Sequence, residues 1–188
     1  MDMKRRGILV IFAISAFFLL SCAAETPVNQ DSWRGDIASV SRADLKYENV
    51  IFRKFTASPT LENPEAPLDE SQAAMVSYLQ SKDLFKKVEE LASGKSYRAS
   101  LLVEATLTEL KIPSDAHAGS GGIFSRNPHI KVSVRITDLN TGSWIAEQEL
   151  SRETNTAQPS SSAGISNDGL PRQLGILIGD FVISRARK

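Results

Sequence analysis

The sequence predicts an α+β domain, a mixed and largely antiparallel sheet of four to five strands with two helices packed on one face. Three observations predict it. Leu101, Val103, Ala105 and Leu107 alternate with Leu102, Glu104, Thr106 and Thr108, and again Ile130, Val132, Val134 and Ile136 with polar neighbours, at the two-residue period of half-buried strands. Asp138-Leu139-Asn140-Thr141-Gly142 stands between the second run and a third as a hairpin turn, with Gly142 free to take positive φ. Leu174, Leu177, Ile178, Phe181 and Val182 recur at spacings of three and four, the stripe of an amphipathic helix.

Taken in order, Tyr47 to Phe55 has the aromatic and branched content of a first strand, and three prolines within Thr56 to Pro67 end it. From Leu68 or Asp69, an N-cap, the spacing of Ala73, Met75, Val76 and Leu79 predicts a helix to about Gln80, with Glu70, Ser71, Ser77 and Gln80 outward. Lys82 to Val88 reads as a short strand and Glu89 to Gly94 as the turn that closes it. Ser96 to Ile112 is the longest strand, Pro113 to Pro128 a Gly-rich break, and Ile130 to Thr137 the next strand. Trp144, Ala146, Gln148 and Leu150 continue the alternation on one face to about Thr154, and Asn155 to Gly169 is a Ser-, Asn- and Gly-rich loop. Asp168 and Pro171 mark the start of the last helix, Leu170 to Arg187.

The first 21 residues read as a leader. Lys4, Arg5 and Arg6 precede the apolar run Ile8 to Leu20, which is shorter than the ~20 residues that span a bilayer. Leu19-Leu20-Ser21-Cys22 then places a small residue before the chain's single cysteine, the pattern of a lipoprotein cleavage and lipidation site. An acylated Cys22 carrying three chains, each contributing roughly 0.8 kcal/mol per buried methylene, attaches the protein to a bilayer permanently. Ala23 and Ala24 follow, with no Asp to mark inner-membrane retention, so the periplasmic leaflet of the outer membrane is the expected address. Residues 22–46, with Pro27, Asn29, Gln30 and Asp31, read as a tether, Ile37 to Leu45 as an ambiguous lead-in, and residues 47–188 as one periplasmic domain.

Composition narrows the partners. The chain has 22 basic and 22 acidic residues, and removing the leader takes away three of the former and only Asp2 of the latter, so the domain is slightly acidic. Nucleic acid is therefore not expected as a partner, because it needs clustered Lys and Arg and only Arg185, Arg187 and Lys188 cluster, at a helix end where the dipole favours them. With one cysteine no disulfide forms within the chain, and the fold depends on its core.

No catalytic constellation is legible. His117 and His129 are the only histidines; with Asp115 they are too few and too loosely placed for a metal site, which usually takes three ordered ligands. Ser120 and Ser125 lack a nucleophile elbow, and Ser160-Ser161-Ser162 belongs to a loop. Gly119-Ser120-Gly121-Gly122 joins strands where a phosphate loop would open a helix. Glu89-Glu90 and Glu147/Glu149 read as solvated carboxylates rather than a glycosidase pair. The Gly175-x-x-x-Gly179 spacing reads as close packing of the last helix on the sheet. No cofactor, metal site or catalytic residue is expected, and Cys22 is the one residue assigned a chemistry.

Leu84-Phe85-Lys86-Lys87-Val88 after a helix, the strand Ser100 to Leu110, the pair of strands around Asp138-Leu139-Asn140-Thr141-Gly142 and the closing helix together resemble a family of bacterial envelope lipoproteins known only as a domain of unknown function. The likeness spans about Tyr47 to Ala186. A wider resemblance is to small α/β periplasmic domains of the Tol-Pal soluble component and of the curli-secretion lipoprotein. The resemblance implies a non-enzymatic adaptor or assembly component that binds another envelope protein, or a subunit of an oligomeric secretion complex; a cell-wall hydrolase or ligand binder is the third alternative. Expected contact regions are the strand edge Leu84 to Val88 and the loops Pro113 to Pro128 and Asn155 to Gly169.

Overall fold

In the computed structural model, residues 37–111, 128–153 and 169–188 are described. Two single turns of 3-10 helix, Ile37–Ser39 and Arg42–Asp44, lead into β1 (Asn49–Phe52), β2 (Thr56–Ala57), α1 (Glu65–Ser81), β3 (Lys87–Glu90), β4 (Ser100–Lys111), β5 (His129–Asp138), β6 (Trp144–Glu153) and α2 (Leu170–Ala186). The sheet runs β3-β1-β4-β5-β6, with β2 beside β4 as a continuation of β1, so it has six strands where four to five were expected. β1 is parallel to β3 and β4, whereas β4, β5 and β6 form an antiparallel meander. Both helices pack on one face, as the sequence predicts.

The alternation read from the sequence becomes rows across the sheet. Val103 faces Ile136, Ala105 faces Val134 and Leu107 faces Val132, and all six are buried beneath the helices. Two irregularities change the pattern. A bulge between Leu107 and Glu109 resets the phase of β4, so that Leu110 returns to the core row opposite Ile130 and Glu109 moves to the open face opposite Lys131. A second, between Ile136 and Thr137, skips Ile145, so Trp144 pairs with Thr137 and leaves the row of Ala146 and Leu150; Trp144 is 67% exposed. The single-face alternation expected from Trp144 onward is corrected at that point.

Element ends differ from expectation for physical reasons. β1 ends at Phe52; the Arg53 N–H still donates to the Val103 carbonyl, and the Phe55 N–H turns to the Gln72 side chain of α1. α1 starts at Glu65, not Asp69; Pro64 caps it and Pro67 lies in its first turn, where no backbone N–H is needed. Ser71, expected outward, is buried. After α1 the chain turns at Asp83 with φ 51°, and Leu84 and Phe85 enter the core, so β3 begins at Lys87 and takes in Glu89 and Glu90, which were expected to form a turn. The edge expected at Leu84 to Val88 is thus core at its first two residues.

The hairpin behaves as its sequence requires: Asn140 and Thr141 N–H groups donate to Asp138 Oδ1, and Gly142 takes φ 70°. The Tyr47 hydroxyl donates to Asp138 Oδ2 at 3.0 Å, tying the start of the domain to this turn. The lead-in packs as well. Ile37 and Leu45 are buried, Leu45 bridges Arg187, and the Lys46 N–H donates to the Ala186 carbonyl.

The two helices interlock. A methyl carbon at Gly175 would lie 2.2 Å from the Ser71 carbonyl oxygen, and one at Gly179 would lie 2.5 Å from the Tyr78 ring. The glycine pair therefore admits α1, not the sheet as expected, and the helices run in the same direction, Ser71 against Gly175 and Tyr78 against Gly179. Asp180 is buried at this contact and accepts from the Tyr78 hydroxyl, while Ser71 Oγ has no hydrogen-bond partner among the described residues. Gly175→Ala should lower stability by about 1–3 kcal/mol through overpacking. Ser71→Ala, which removes an unsatisfied buried hydroxyl, should raise it by about 1 kcal/mol. Urea unfolding of the two variants beside the parent checks both signs.

Candidate functional site

The surface left by one-sided helix packing is the open face of the sheet, and charge organises it. Strand register lines up Glu104, Arg135 and Glu147 across β4, β5 and β6, and Arg53, just past the end of β1, joins the row through its ion pair to Glu104, so that the signs alternate. Arg53 Nε lies 2.8 Å from Glu104 Oε1 and Arg135 Nε 3.0 Å from Glu147 Oε2. Thr56 and Thr106 hydroxyls meet at 3.1 Å, and the row floors a shallow depression of about 240 Å³. Such half-exposed cross-strand pairs contribute about 0.2–1 kcal/mol each.

A second cluster lies nearer the end of the sheet, built by the β4 bulge. Glu109 accepts from His129 Nε2 at 2.8 Å and from Lys131 Nζ at 3.1 Å, and Lys131 also reaches Glu149 Oε1 at 3.3 Å. The His129 and Lys131 hydrogen bonds hold the Glu109 carboxyl down at about 2. Bonds from Glu109 and then Glu149 hold the Lys131 ammonium above its ordinary range. A carboxylate held this firmly ionised is a poor proton donor at neutral pH.

On the opposite side of the molecule, α1 and α2 leave a groove of about 520 Å³ lined by Glu70, Ala73, Ser77, Tyr78, Arg172 and Ile176. Ala73, Ala74 and Ile176 are its apolar lining. The Tyr78 hydroxyl is spent on Asp180, and no serine, cysteine or histidine in the lining stands beside a base.

Of the residues weighed from the sequence, Cys22, Asp115, His117, Gly119 to Gly122, Ser120, Ser125 and Ser160 to Ser162 lie outside the described residues. So do most of the loops Pro113 to Pro128 and Asn155 to Gly169. His129 opens β5, paired to Glu109. Among the described residues no group of three or more His, Cys, Asp or Glu side chains could hold a metal ion. Glu147 and Glu149 lie on the edge strand β6, bound to Arg135 and Lys131; Glu89 on the other edge strand binds Lys95 Nζ at 2.7 Å. The Arg53-Glu104-Arg135-Glu147 row was not singled out from the sequence. Its signal was there in the polar positions of alternating strands, and only the register shows that opposite signs fall side by side.

No family model and no curated relative matches the sequence. Among solved structures, the PelC dodecamer from Paraburkholderia phytofirmans is similar with a TM-score of 0.52 and 13% identity, covering 79% of this chain and 92% of that one. A Xanthomonas campestris protein of the DUF330 family is similar with a TM-score of 0.52 and 8% identity, covering 74% of this chain and 85% of that one. At these identities the shared property is the fold. It is the fold implied by the resemblance to envelope proteins of unknown function.

The low Glu109 value carries a pH signature. A carboxyl lowered from 4.5 to about 2 contributes stability that is present above its unfolded value and is lost as pH falls through the folded one, between about 4.5 and 2. Carboxyl NMR should place the Glu109 titration near pH 2 in the parent. In His129→Ala it should move back toward the ordinary glutamate range.

Proposed function

We propose that this chain is a lipid-anchored protein of the bacterial cell envelope that works by binding rather than by catalysis, as a periplasmic adaptor or assembly component for another envelope protein. The observation that carries the reading is Leu19-Leu20-Ser21-Cys22, a lipidation pattern that ends an apolar leader at the chain's single cysteine. Ala23 and Ala24 after the cysteine support the periplasmic leaflet of the outer membrane. Supporting the binding role, the carboxylates of the open sheet face are bonded to arginine, lysine or histidine side chains rather than poised beside a nucleophile. Catalysis needs a nucleophile, a base and an orienting group in mutual reach.

A second reading, a subunit of an oligomeric envelope assembly, is favoured by the fold likeness to PelC, whose solved form is a dodecamer. Native mass measurement of the protein extracted in mild detergent separates the two: a single protomer supports the adaptor and a closed multiple supports the assembly subunit.

Cys22→Ser should abolish incorporation of a clickable palmitate analogue and move the protein from the membrane to the soluble or unprocessed fraction. Crosslinking in intact envelopes should then lose its protein adducts along with the anchor. Labelling that persists in Cys22→Ser, or a parent protein that fractionates as soluble, overturns the reading.

A further inference from the structure

One end of the domain gathers the entry of the chain, both helix C-termini and the β5–β6 turn. Arg42 pairs with Asp83 just past α1. Leu45 bridges Arg187, and the Lys188 N–H donates to the Asp44 carbonyl at 3.0 Å, so the lead-in is clasped to the end of α2. Register brings the strands into the same end: Asn49 lies opposite Lys87 and Ser100, Leu101 opposite Asp138, and Thr137 opposite Trp144. Fourteen residues lie between Cys22 and Ile37, a length that reaches on the order of 50 Å at most. That length lets Cys22 reach a leaflet lying against this end of the domain.

Two chemistries meet there. Trp144 is 67% exposed, the large apolar side chain left in solvent among the described residues. Lys46, Lys82, Arg185, Arg187 and Lys188 are exposed at the same end and outnumber the exposed acids Asp44, Glu48 and Asp83 there. The far end of the helix layer carries the opposite sign, with Glu65, Asp69 and Glu70 in the first turns of α1. Helix dipoles account for acids at helix starts and for Lys82 and Arg185 at helix ends. Lys46 lies over the Tyr47 ring at 4.9 Å, and neither effect accounts for an uncovered indole on a strand made available by a bulge.

An indole beside lysines and arginines is the composition that the headgroup region of a bilayer selects: the ring sits at the interface and the cations meet anionic phosphates. We propose that this end of the domain rests on the phospholipid leaflet that carries the Cys22 anchor, with Trp144 at headgroup depth and Lys46, Arg187 and Lys188 against lipid phosphates. The proposal builds on the lipid-anchored reading. It turns a tethered domain into an oriented one, which holds the acidic end of the helix layer and the charge-paired sheet face away from the bilayer.

Trp33→Phe leaves Trp144 as the sole tryptophan. The mature lipoprotein carrying that change is reconstituted in phosphatidylethanolamine and phosphatidylglycerol vesicles, with and without bromine near the headgroup end of the acyl chains. Flotation reports anchoring, and fluorescence reports Trp144. The expected result is flotation with a blue-shifted emission, most of which is lost in brominated vesicles. Lys46→Glu with Lys188→Glu should weaken that quenching without changing flotation. Protein that floats while its emission escapes bromine overturns the docked orientation; a blue shift without bromine quenching does the same, since it marks a protein partner or second copy over Trp144. Protein that fails to float overturns the anchored reading and the orientation with it.

Discussion

The close contact between α1 and α2 is the constraint on which the rest of the domain depends. Gly175 and Gly179 let the α2 backbone approach Ser71, Ala74 and Tyr78 at distances no side chain would allow. The two helices consequently form one layer that a single face of the sheet can accommodate. Most of α2 is buried as a result, including Asp180, whose carboxylate is satisfied by the Tyr78 hydroxyl across the same contact. A glycine pair that in a membrane span would join two transmembrane helices here joins two helices within one domain. With both helices on one face, the other face carries mostly polar side chains beside the buried Ile51 and Leu102, and the ends of both helices fall at the end where the chain enters.

The sheet contributes through its irregularities as much as through its regular pairing. Regular alternation would bury Glu109 and would place Trp144 in the row of Leu150. One bulge sends Glu109 to the open face, where His129 and Lys131 bind it, and the other releases Trp144 into solvent. Each bulge thus converts a core position into a surface feature, at no more than the loss of one ladder pairing. The row Arg53-Glu104-Arg135-Glu147 needs no bulge. From Glu104 to Glu147 it follows from register, because opposite signs alternate from strand to neighbouring strand, and Arg53 adds to it from just past β1.

What the sequence made legible was what repeats. The meander strands, the Asp138 to Gly142 turn and the last helix carry strong periodicity or turn chemistry, and they lie where the pattern puts them. What escaped was decided by partners distant in sequence. Pro64 and Pro67 read as breakers, yet a first helical turn tolerates both. Leu84 and Phe85 read as a strand but plug the core beneath the end of α1, and the glycine pair faced the other helix rather than the sheet. Ile37 and Leu45 were ambiguous because only the end of α2, more than a hundred residues on, supplies the surface they cover. The candidate surfaces escaped for the same reason: both the charge row and the exposed Trp144 depend on register.

In the proposed account the protein's address rests on one thiol, Cys22, and the orientation of the domain on the Trp144 end that would meet the leaflet holding it. Intact mass spectrometry of the N-terminal peptide from membrane-extracted protein tests that claim most directly. The account predicts a mature chain that begins at Cys22 and carries a diacylglyceryl group with an amide-linked acyl chain. A chain that begins elsewhere, or a Cys22 without lipid, would contradict it.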